Sequence, residues 1–182
     1  MTVEQTAHHP ATIAVPPGRY RLHPELTTVT FSAKKFGLFT IRGTVGLASG
    51  AFTVTSPLEH STLHAVVAAD TFSTPMAKRD THVKGAKLLD TVAYPRIEFD
   101  STDVVPTPAG WEVRGLLAVH GQVQPAVLTV TSASREGGLV RIAAWAHVDR
   151  RVFGVTGMRA AASSIIEVRI EAVGTPVGAP GR

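Results

Sequence analysis

The feature that most constrains the fold is an alternation of apolar and polar residues with a period of two, which recurs along most of the chain. The clearest instance, residues 166–172, alternates aliphatic residues with glutamate and arginine. Successive side chains of a β-strand point to opposite faces, so this period indicates half-buried strands. Seven more segments carry comparable patterns: 28–34, 39–45, 61–69, 97–105, 111–119, 127–133 and 140–148.

About eight strands, mostly joined by short connections, predict an all-β chain. Eight antiparallel strands close into a barrel whose interior is either filled by side chains or holds one small ligand. Several predicted interior positions carry small residues: Ala33, Ala65, Gly115, Ala144 and Ala146. Because protein interiors rarely leave space without an occupant, this composition favours a ligand cavity. The alternative is that larger side chains on the opposite wall fill the interior.

One long connection, between Asp70 and Arg96, interrupts the strand pattern. Thr74 is a suitable N-cap for a helix whose first position is Pro75, since proline lacks only an N–H that is not needed there. Asp80 is suited to cap a second short turn, and Gly85 permits a break after it. We therefore predict a short helical excursion, at about 75–93, over one mouth of the barrel.

The same connection concentrates positive charge. Its basic residues outnumber its two aspartates, Asp80 and Asp90; they are Lys78, Arg79, His82, Lys84 and Lys87. One interpretation is a cationic rim over a cavity, with Leu88 and Leu89 facing apolar contents. The other, which the sequence favours, is a solvated connection in which Arg79 pairs with the neighbouring aspartate.

The two ends of the chain carry little pattern. Residues 1–18 are predicted to be a flexible tail, residues 19–174 the barrel domain and residues 175–182 a second tail. The first segment lacks a basic n-region and an apolar h-region, and no apolar run approaches the length of a membrane span, so we expect a cytoplasmic protein. The formal charge of +4, without an arginine/lysine run interleaved with aromatics, argues against nucleic-acid binding.

Residues with catalytic or metal-binding chemistry are scattered. His60 and His64 share a strand face only if that strand begins early, and no third ligand is visible, so no metal site is expected. His120, before Gly121, is better explained by a bond to a backbone carbonyl than by catalysis. No G-x-S-x-G elbow, P-loop or dinucleotide motif is present, and we predict no enzymatic activity.

A third polar group lies near the last predicted strand. Asp149, Arg150 and Arg151 precede Phe153-Gly154 and form a charged cluster. Arg151 either braces the last hairpin, which the sequence favours, or contacts a ligand headgroup.

A set of ordered motifs resembles the YceI family of lipocalin-like, isoprenoid-binding barrels from Tyr20 to about Ala172. Their order and spacing carry the resemblance: Val29, Phe31, Phe36-Gly37, Arg42-Gly43, Arg79-Asp80, His82-Val83, Leu88-Leu89-Asp90, Tyr94-Pro95, Ile97, Phe99, Ser101, Gly115, Leu117, His120-Gly121, Pro125, Val127, Arg151 and Phe153-Gly154. The chain departs from the family pattern where Leu26-Thr27 replaces a His-Ser pair and where Lys35 replaces a histidine.

The resemblance implies a barrel with a helix at one mouth that binds a long apolar chain, such as a polyprenyl lipid, an isoprenoid quinone or a fatty amide. We predict a non-enzymatic carrier with no cofactor other than the bound lipid, and the sequence leaves open peripheral membrane contact and a homodimer. The predicted ligand-binding residues are Phe31, Phe36, Phe39, Arg79, His82, Leu88, Leu89, Ile97, Phe99, Leu117 and Phe153. The alternatives are an enzyme acting on such lipids and a packed barrel that binds a protein partner.

Overall fold

β-Strands make up most of the described chain. The structure is a computed structural model and describes residues 13–157 and 162–178. The strands are β1 Ile13–Ala14, β2 Gly18–Leu22, β3 Thr28–Lys35, β4 Phe39–Val54, β5 Thr62–Ser73, β6 Arg96–Thr107, β7 Gly110–Val119, β8 Gln122–Glu136, β9 Leu139–Asp149 and β10 Ile165–Pro176. Helix α1 spans Ala77–Lys84, and 3₁₀ turns lie at Leu58–His60 and Arg150–Phe153.

The strands close into a barrel. Each strand from β3 to β9 pairs antiparallel with the next, and β10 pairs antiparallel with β3, so the sheet has no free end along this path. Strand β2 shares the wall position of β3, because it pairs with the later parts of β4 and β10. The barrel wall therefore has eight strand positions, of which β2 and β3 share one. The short strand β1 pairs in parallel with β8. The predicted eight-stranded antiparallel barrel is confirmed.

Strand β4 is longer than its pattern predicted. The alternation stops at Gly46, but the strand continues to Val54 and contains 16 residues. Its register against β5 shifts between Thr44 and Gly46, and the Gly46 amide donates to Thr71 Oγ1 at 2.7 Å. Gly46 is thus a bulge inside one strand, which bends the wall instead of ending it.

The connections sort into two ends of the barrel. We call the end that carries α1 the helix end; it comprises the connections 36–38, 74–95, 120–121 and 150–164, the last of these described at 150–157 and 162–164. The opposite end comprises the connections 55–61, 108–109 and 137–138.

The segment before β2 is part of the barrel where the structure describes it. Val15 is buried in the core, Tyr20 Oη donates to the Pro16 carbonyl at 2.7 Å, and Ile13–Ala14 pairs with β8. The barrel therefore begins earlier than the predicted boundary at residue 19, and β10 extends it to Pro176. Residues 1–12 of the predicted tail lie outside the described residues.

Helix α1 differs from the prediction in its start. It begins at Ala77 with Met76 as N-cap, two residues after the predicted cap, and ends at Lys84, where Gly85 breaks it. The rest of the predicted excursion to residue 93 forms turns at residues 86–89 and 91–93. Asp80 does not begin a second turn. Its two carboxylate oxygens each accept from the Thr74 amide at 3.0 Å, and Oδ1 also accepts from Thr74 Oγ1 at 2.6 Å. The carboxylate thereby ties the helix to the end of β5.

Three clusters of buried apolar side chains stabilise the barrel. The first, which extends to the opposite end, includes a stacked Tyr20–Phe52 pair with ring centroids 4.9 Å apart. The second, at the helix end, consists of Leu88, Phe153 and Val155. The third lies on β6 and β7 and consists of Phe99, Val104 and Val113. The interior is thus packed as separate clusters along its wall.

Candidate functional site

The barrel encloses a cavity of about 440 Å³. Its described lining is aliphatic and aromatic over nearly the whole surface, and the hydroxyl or charged side chains in it are Thr27, Thr53, Ser61, Thr62, Arg79 and Arg150. This volume lies within the range of small-molecule sites, which are mostly apolar with a few polar groups. The alternative of an interior filled by side chains is therefore wrong.

Small residues account for much of this space. Ala33, Ala65, Ala144 and Ala146 line the cavity, as their place in the alternation predicted. Gly115 does not belong to the lining. A Cβ at this glycine would collide with the Asp100 backbone carbonyl and with the ring of Phe99, so the missing side chain makes room for the neighbouring strand and that ring.

Two aromatic rings form part of the cavity wall near the helix end. Phe31 on β3 and Phe72 on β5 stack with centroids 4.6 Å apart, although β4 runs between their strands. Gly43 lies between them, and a Cβ there would collide with the Phe31 ring. Phe72 was not among the predicted site residues, because the apolar pattern predicted a strand that ends at Ala69.

Eight predicted ligand-binding residues line the cavity, and three do not. The eight are Phe31, Arg79, Leu88, Leu89, Ile97, Phe99, Leu117 and Phe153. Phe36 and Phe39 lie at the exposed β3–β4 hairpin, beyond the mouth, and His82 is exposed on α1. Phe39 occupies an inward register position, but the strand begins there, so its ring lies past the cavity.

Apolar contacts hold the helix end over the cavity. Leu88 belongs to the connection between α1 and β6. Its side chain is buried and packs with Phe153 and Val155. A Cβ at Gly157 would lie 2.5 Å from Leu88 Cδ2, so the connection after β9 passes very close to this leucine. Leu88 and Phe153, predicted as ligand contacts, therefore also join the two segments that cover the mouth.

Arg79 does not form the expected pair with Asp80. The Asp80 carboxylate is occupied by Thr74, and the hydrogen bonds from Thr74 lower the pKa of Asp80 below its ordinary value. Arg79 is half-buried, lines the cavity and has Nη2 at 3.7 Å from Met76 Sδ. Within the described part of the chain it forms no ion pair with a carboxylate. The guanidinium remains available to a ligand.

Arg150 is the second charged residue of the lining, and its guanidinium organises the connection after β9. It donates to the carbonyl oxygens of Val155 at 2.6 Å, Gly157 at 2.9 Å, Ser163 at 3.0 Å and Ala162 at 3.1 Å. These bonds draw both described parts of the connection to one point beside the cavity. Arg150 therefore has a structural role at the mouth.

Arg151 points away from the cavity lining and pairs with Asp149. Its Nη2 lies 2.6 Å from Asp149 Oδ2, and its Nε also donates to that carboxylate. These hydrogen bonds lower the pKa of Asp149 to about 2. This pair is local to residues 149–151, so the expected bracing of the last hairpin by Arg151 stays a prediction, whereas the bonds across that connection come from Arg150.

The three histidines His60, His64 and His120 lie in different elements of the structure. His64 Nδ1 is 2.6 Å from Asp100 Oδ1 on the next strand, whereas His60 belongs to the 3₁₀ turn. His120 has a positive φ of 51° at the β7–β8 turn and its ring lies edge-on to Tyr94, rather than beside the carbonyl that we expected to bind it. Among the described residues, no three His, Cys, Asp or Glu side chains are grouped as a metal site requires.

The family of the chain follows from a sequence comparison. A model of the YceI-like domain matches residues 20–174. The chain belongs to the YceI-like family. A UPF0312 protein of Vibrio cholerae is 29% identical over 154 residues, which cover 80% of this chain and 81% of that protein. A UPF0312 protein of Yersinia pestis is 28% identical over 102 residues, covering 55% and 53% of the two chains.

Solved structures of other proteins share this fold. BcnA of Burkholderia cenocepacia superposes with a TM-score of 0.70 at 15% identity, covering 84% of this chain and 98% of BcnA. A polyisoprenoid-binding domain of Saccharophagus degradans, implicated in plant cell wall breakdown, gives a TM-score of 0.62 at 15% identity, covering 87% and 98%. At this identity the likeness establishes the fold alone.

No helix in the described part of the chain could cross a bilayer. Helix α1, with 8 residues, is far too short to cross a bilayer, and the described residues contain no other helix with the length and apolar character to do so.

Proposed function

We propose that this YceI-like barrel binds a long-chain amphiphile with an isoprenoid-type tail and carries or sequesters it without chemical change. The observation that carries the proposal is the apolar cavity of about 440 Å³. Each CH₂ group that such a tail removes from water contributes about 0.8 kcal/mol. Affinity should therefore rise with tail length until the cavity is full.

The cavity lining and one structural relative support an isoprenoid tail for the ligand. The walls offer aliphatic side chains and the stacked Phe31–Phe72 pair, and these fit a branched hydrocarbon chain without requiring hydrogen bonds. The Saccharophagus degradans structure of the same fold is described as a polyisoprenoid-binding domain. An isoprenoid alcohol, its phosphate or an isoprenoid quinone is thus the class that we expect in this cavity.

The headgroup should lie at the helix end. Both charged residues of the described lining, Arg79 and Arg150, are found there, and Arg79 has no carboxylate partner within the described chain. A guanidinium forms charge-assisted hydrogen bonds with phosphate or carboxylate oxygens. We therefore expect Arg79 to contact an acidic headgroup while the tail occupies the barrel.

The rival proposal is an enzyme that acts on the same lipids. Such an enzyme needs an acid or base within hydrogen-bond reach of the reacting atoms. The described lining contains arginine as its charged residue type, with no carboxylate and no imidazole. This composition favours binding over catalysis.

Mass spectrometry of the native protein tests both proposals. Lipid extracted from undenatured protein should contain an isoprenoid tail in an amount comparable to the protein, whereas boiled protein re-exposed to buffer should yield none. A defined polyprenyl phosphate added to emptied protein should be recovered with unchanged mass after prolonged incubation. Failure to bind any isoprenoid would refute the proposal, and a time-dependent change in mass would favour the enzyme.

A further inference from the structure

The hairpin between β3 and β4 ends in an exposed apolar tip. We call residues 36–39 the 36–39 tip; its large side chains are exposed by 62% for Phe36, 80% for Leu38 and 66% for Phe39. Short hairpin loops usually carry Asn, Asp or Gly, which suit the backbone and the solvent. Three large apolar side chains in four residues therefore mark this turn as unusual.

The backbone of the tip makes the choice of phenylalanine more costly. Phe36 has φ 51° and Gly37 has φ 72°, and the Leu38 amide donates to the Lys35 carbonyl at 3.1 Å to close the turn. Glycine accepts a positive φ readily, but a bulky side chain in that region is strained. Neither this strain nor the exposure of the ring stabilises the fold. The tip is therefore better explained by an interaction outside the chain.

The surroundings of the tip are basic. Lys34 and Lys35 precede it, Arg42 follows it, and the sequence contains no Asp or Glu between Glu25 and Glu59. The Lys35 ammonium lies 5.4 Å from the centroid of the Phe36 ring. Apolar side chains at a protruding turn, flanked by cations, have the composition of segments that lie in the headgroup region of a bilayer.

The whole helix end shares this charge. Its described connections contain six Lys or Arg residues and two Asp residues, a balance of +4, and one of the two, Asp80, is bound by Thr74. The connections of the opposite end contain Glu59 and no Lys or Arg. An anionic surface would therefore orient the barrel with its helix end towards that surface.

We propose that the protein docks on anionic phospholipid bilayers by inserting the 36–39 tip at the headgroup level, with the surrounding cations against lipid phosphates. A protein partner fits less well, because a standard protein interface takes roughly 20–30 residues from each side and the tip offers three large side chains. Docking would also place the mouth beside the lipid. Phe39 shares its register face with Ile41, which lines the cavity, so an apolar path leads inward from the tip.

Vesicle co-sedimentation tests the docking with the full chain. We expect the protein to bind phosphatidylcholine vesicles that contain phosphatidylglycerol, to bind pure phosphatidylcholine vesicles less, and to dissociate with added salt. Leu38→Asp should weaken the binding about tenfold or more, since it removes one aliphatic side chain from the bilayer and adds a charge that the anionic lipids repel. Leu26→Asp is the matched control, because Leu26 is 51% exposed but lies in the barrel wall between β2 and β3.

A label at the tip reports insertion directly. The chain has no cysteine, so Leu38→Cys creates a single attachment point for a polarity-sensitive dye. On anionic vesicles the emission of this dye should rise and shift to the blue, while the same dye at Leu26→Cys should respond little. Melting curves of all variants verify that the barrel is intact. The dye signal appears when the labelled protein binds, so this test does not depend on a variant that loses binding.

The outcomes separate docking from lipid binding in the cavity. Vesicle binding that Leu38→Asp weakens, with a dye response at position 38, supports the proposal whether or not the purified protein holds an isoprenoid. Absence of vesicle binding overturns it, and so does equal weakening by Leu38→Asp and Leu26→Asp. A concentration-dependent dimer that Leu38→Asp dissociates, without vesicle binding, would assign the tip to a protein contact instead.

Discussion

Ala144→Phe should abolish lipid binding while leaving the barrel folded. Ala144 lies on β9 opposite Val130 on β8 and Ile170 on β10, and all three line the cavity. A phenyl ring placed there would occupy the space of about six chain carbons. At about 0.8 kcal/mol per CH₂, the displaced part of the tail accounts for about 5 kcal/mol, which corresponds to a rise in Kd of about a thousandfold or more.

The same substitution should have little effect on stability. A ring inserted into a packed core typically costs about 1–3 kcal/mol, whereas here it enters apolar space. We expect the free energy of unfolding, measured by urea titration without lipid, to change by less than about 1 kcal/mol. Ala143→Phe is the matched control: Ala143 is the adjacent residue, is absent from the lining and occupies the alternate face of β9.

The assay is a titration of protein with a solubilised polyprenyl lipid, followed by the quenching of tryptophan fluorescence. Trp111 lines the cavity and supplies the signal. Unchanged affinity in Ala144→Phe would refute the placement of the tail. Unfolding of Ala144→Phe and of Ala65→Phe, with Ala143→Phe still folded, would show that the space is not free to accept a ring.

Three further predictions concern single contacts. Arg79→Gln should weaken an acidic isoprenoid lipid about tenfold or more but hardly affect a neutral lipid with the same tail, as competition titrations would show; equal losses would exclude a headgroup contact. Because Arg151 lowers the pKa of Asp149 from 3.8 to about 2, that carboxylate stabilises the fold above pH 3.8 and ceases to do so as the pH falls towards 2. The difference in unfolding free energy between wild type and Asp149→Asn should therefore be constant above pH 3.8 and disappear near pH 2; a difference independent of pH would contradict this. Thr27→Val should lose about 1–3 kcal/mol, since the buried Val173 amide donates to Thr27 Oγ1 at 3.1 Å; Thr27→Ser keeps the oxygen and should lose less in the same urea titration.

The strands of the barrel wall could be predicted from the sequence because period-two alternation is a local property, whereas closure rests on the distant pairing of β10 with β3 and was inferred from the strand count and the family resemblance. The alternation correctly assigned Ala33, Ala65, Ala144 and Ala146 to the interior side of their strands. At Gly46 it left a turn and a bulge open, because the two have the same local signature, and the pairing with β5 shows the bulge. A bulge is defined by its pairing with the partner strand, and a local sequence pattern carries no information about that pairing.

The candidate site was harder to predict because its contacts are not local. Arg79 and Asp80 are adjacent in sequence, but adjacent residues on a helix do not face each other, so the expected pair was geometrically unfavourable. Thr74, at the end of β5, binds the carboxylate instead. Phe36 and Phe39 were assigned to the ligand site by their apolar character. Whether such a ring faces the cavity or the solvent depends on where β3 ends and β4 begins.

The hydrogen bonds of Arg150 couple the segments that must move when the mouth opens. One guanidinium binds carbonyls on both described parts of the connection after β9, and the Arg150 amide and carbonyl add bonds to Ser164 and Val155. Segments tied at a common point open as a unit, because releasing one leaves the others bound at the same place. The mouth should accordingly open cooperatively, and amide hydrogen exchange across residues 150–157 and 162–164 should proceed at one shared rate.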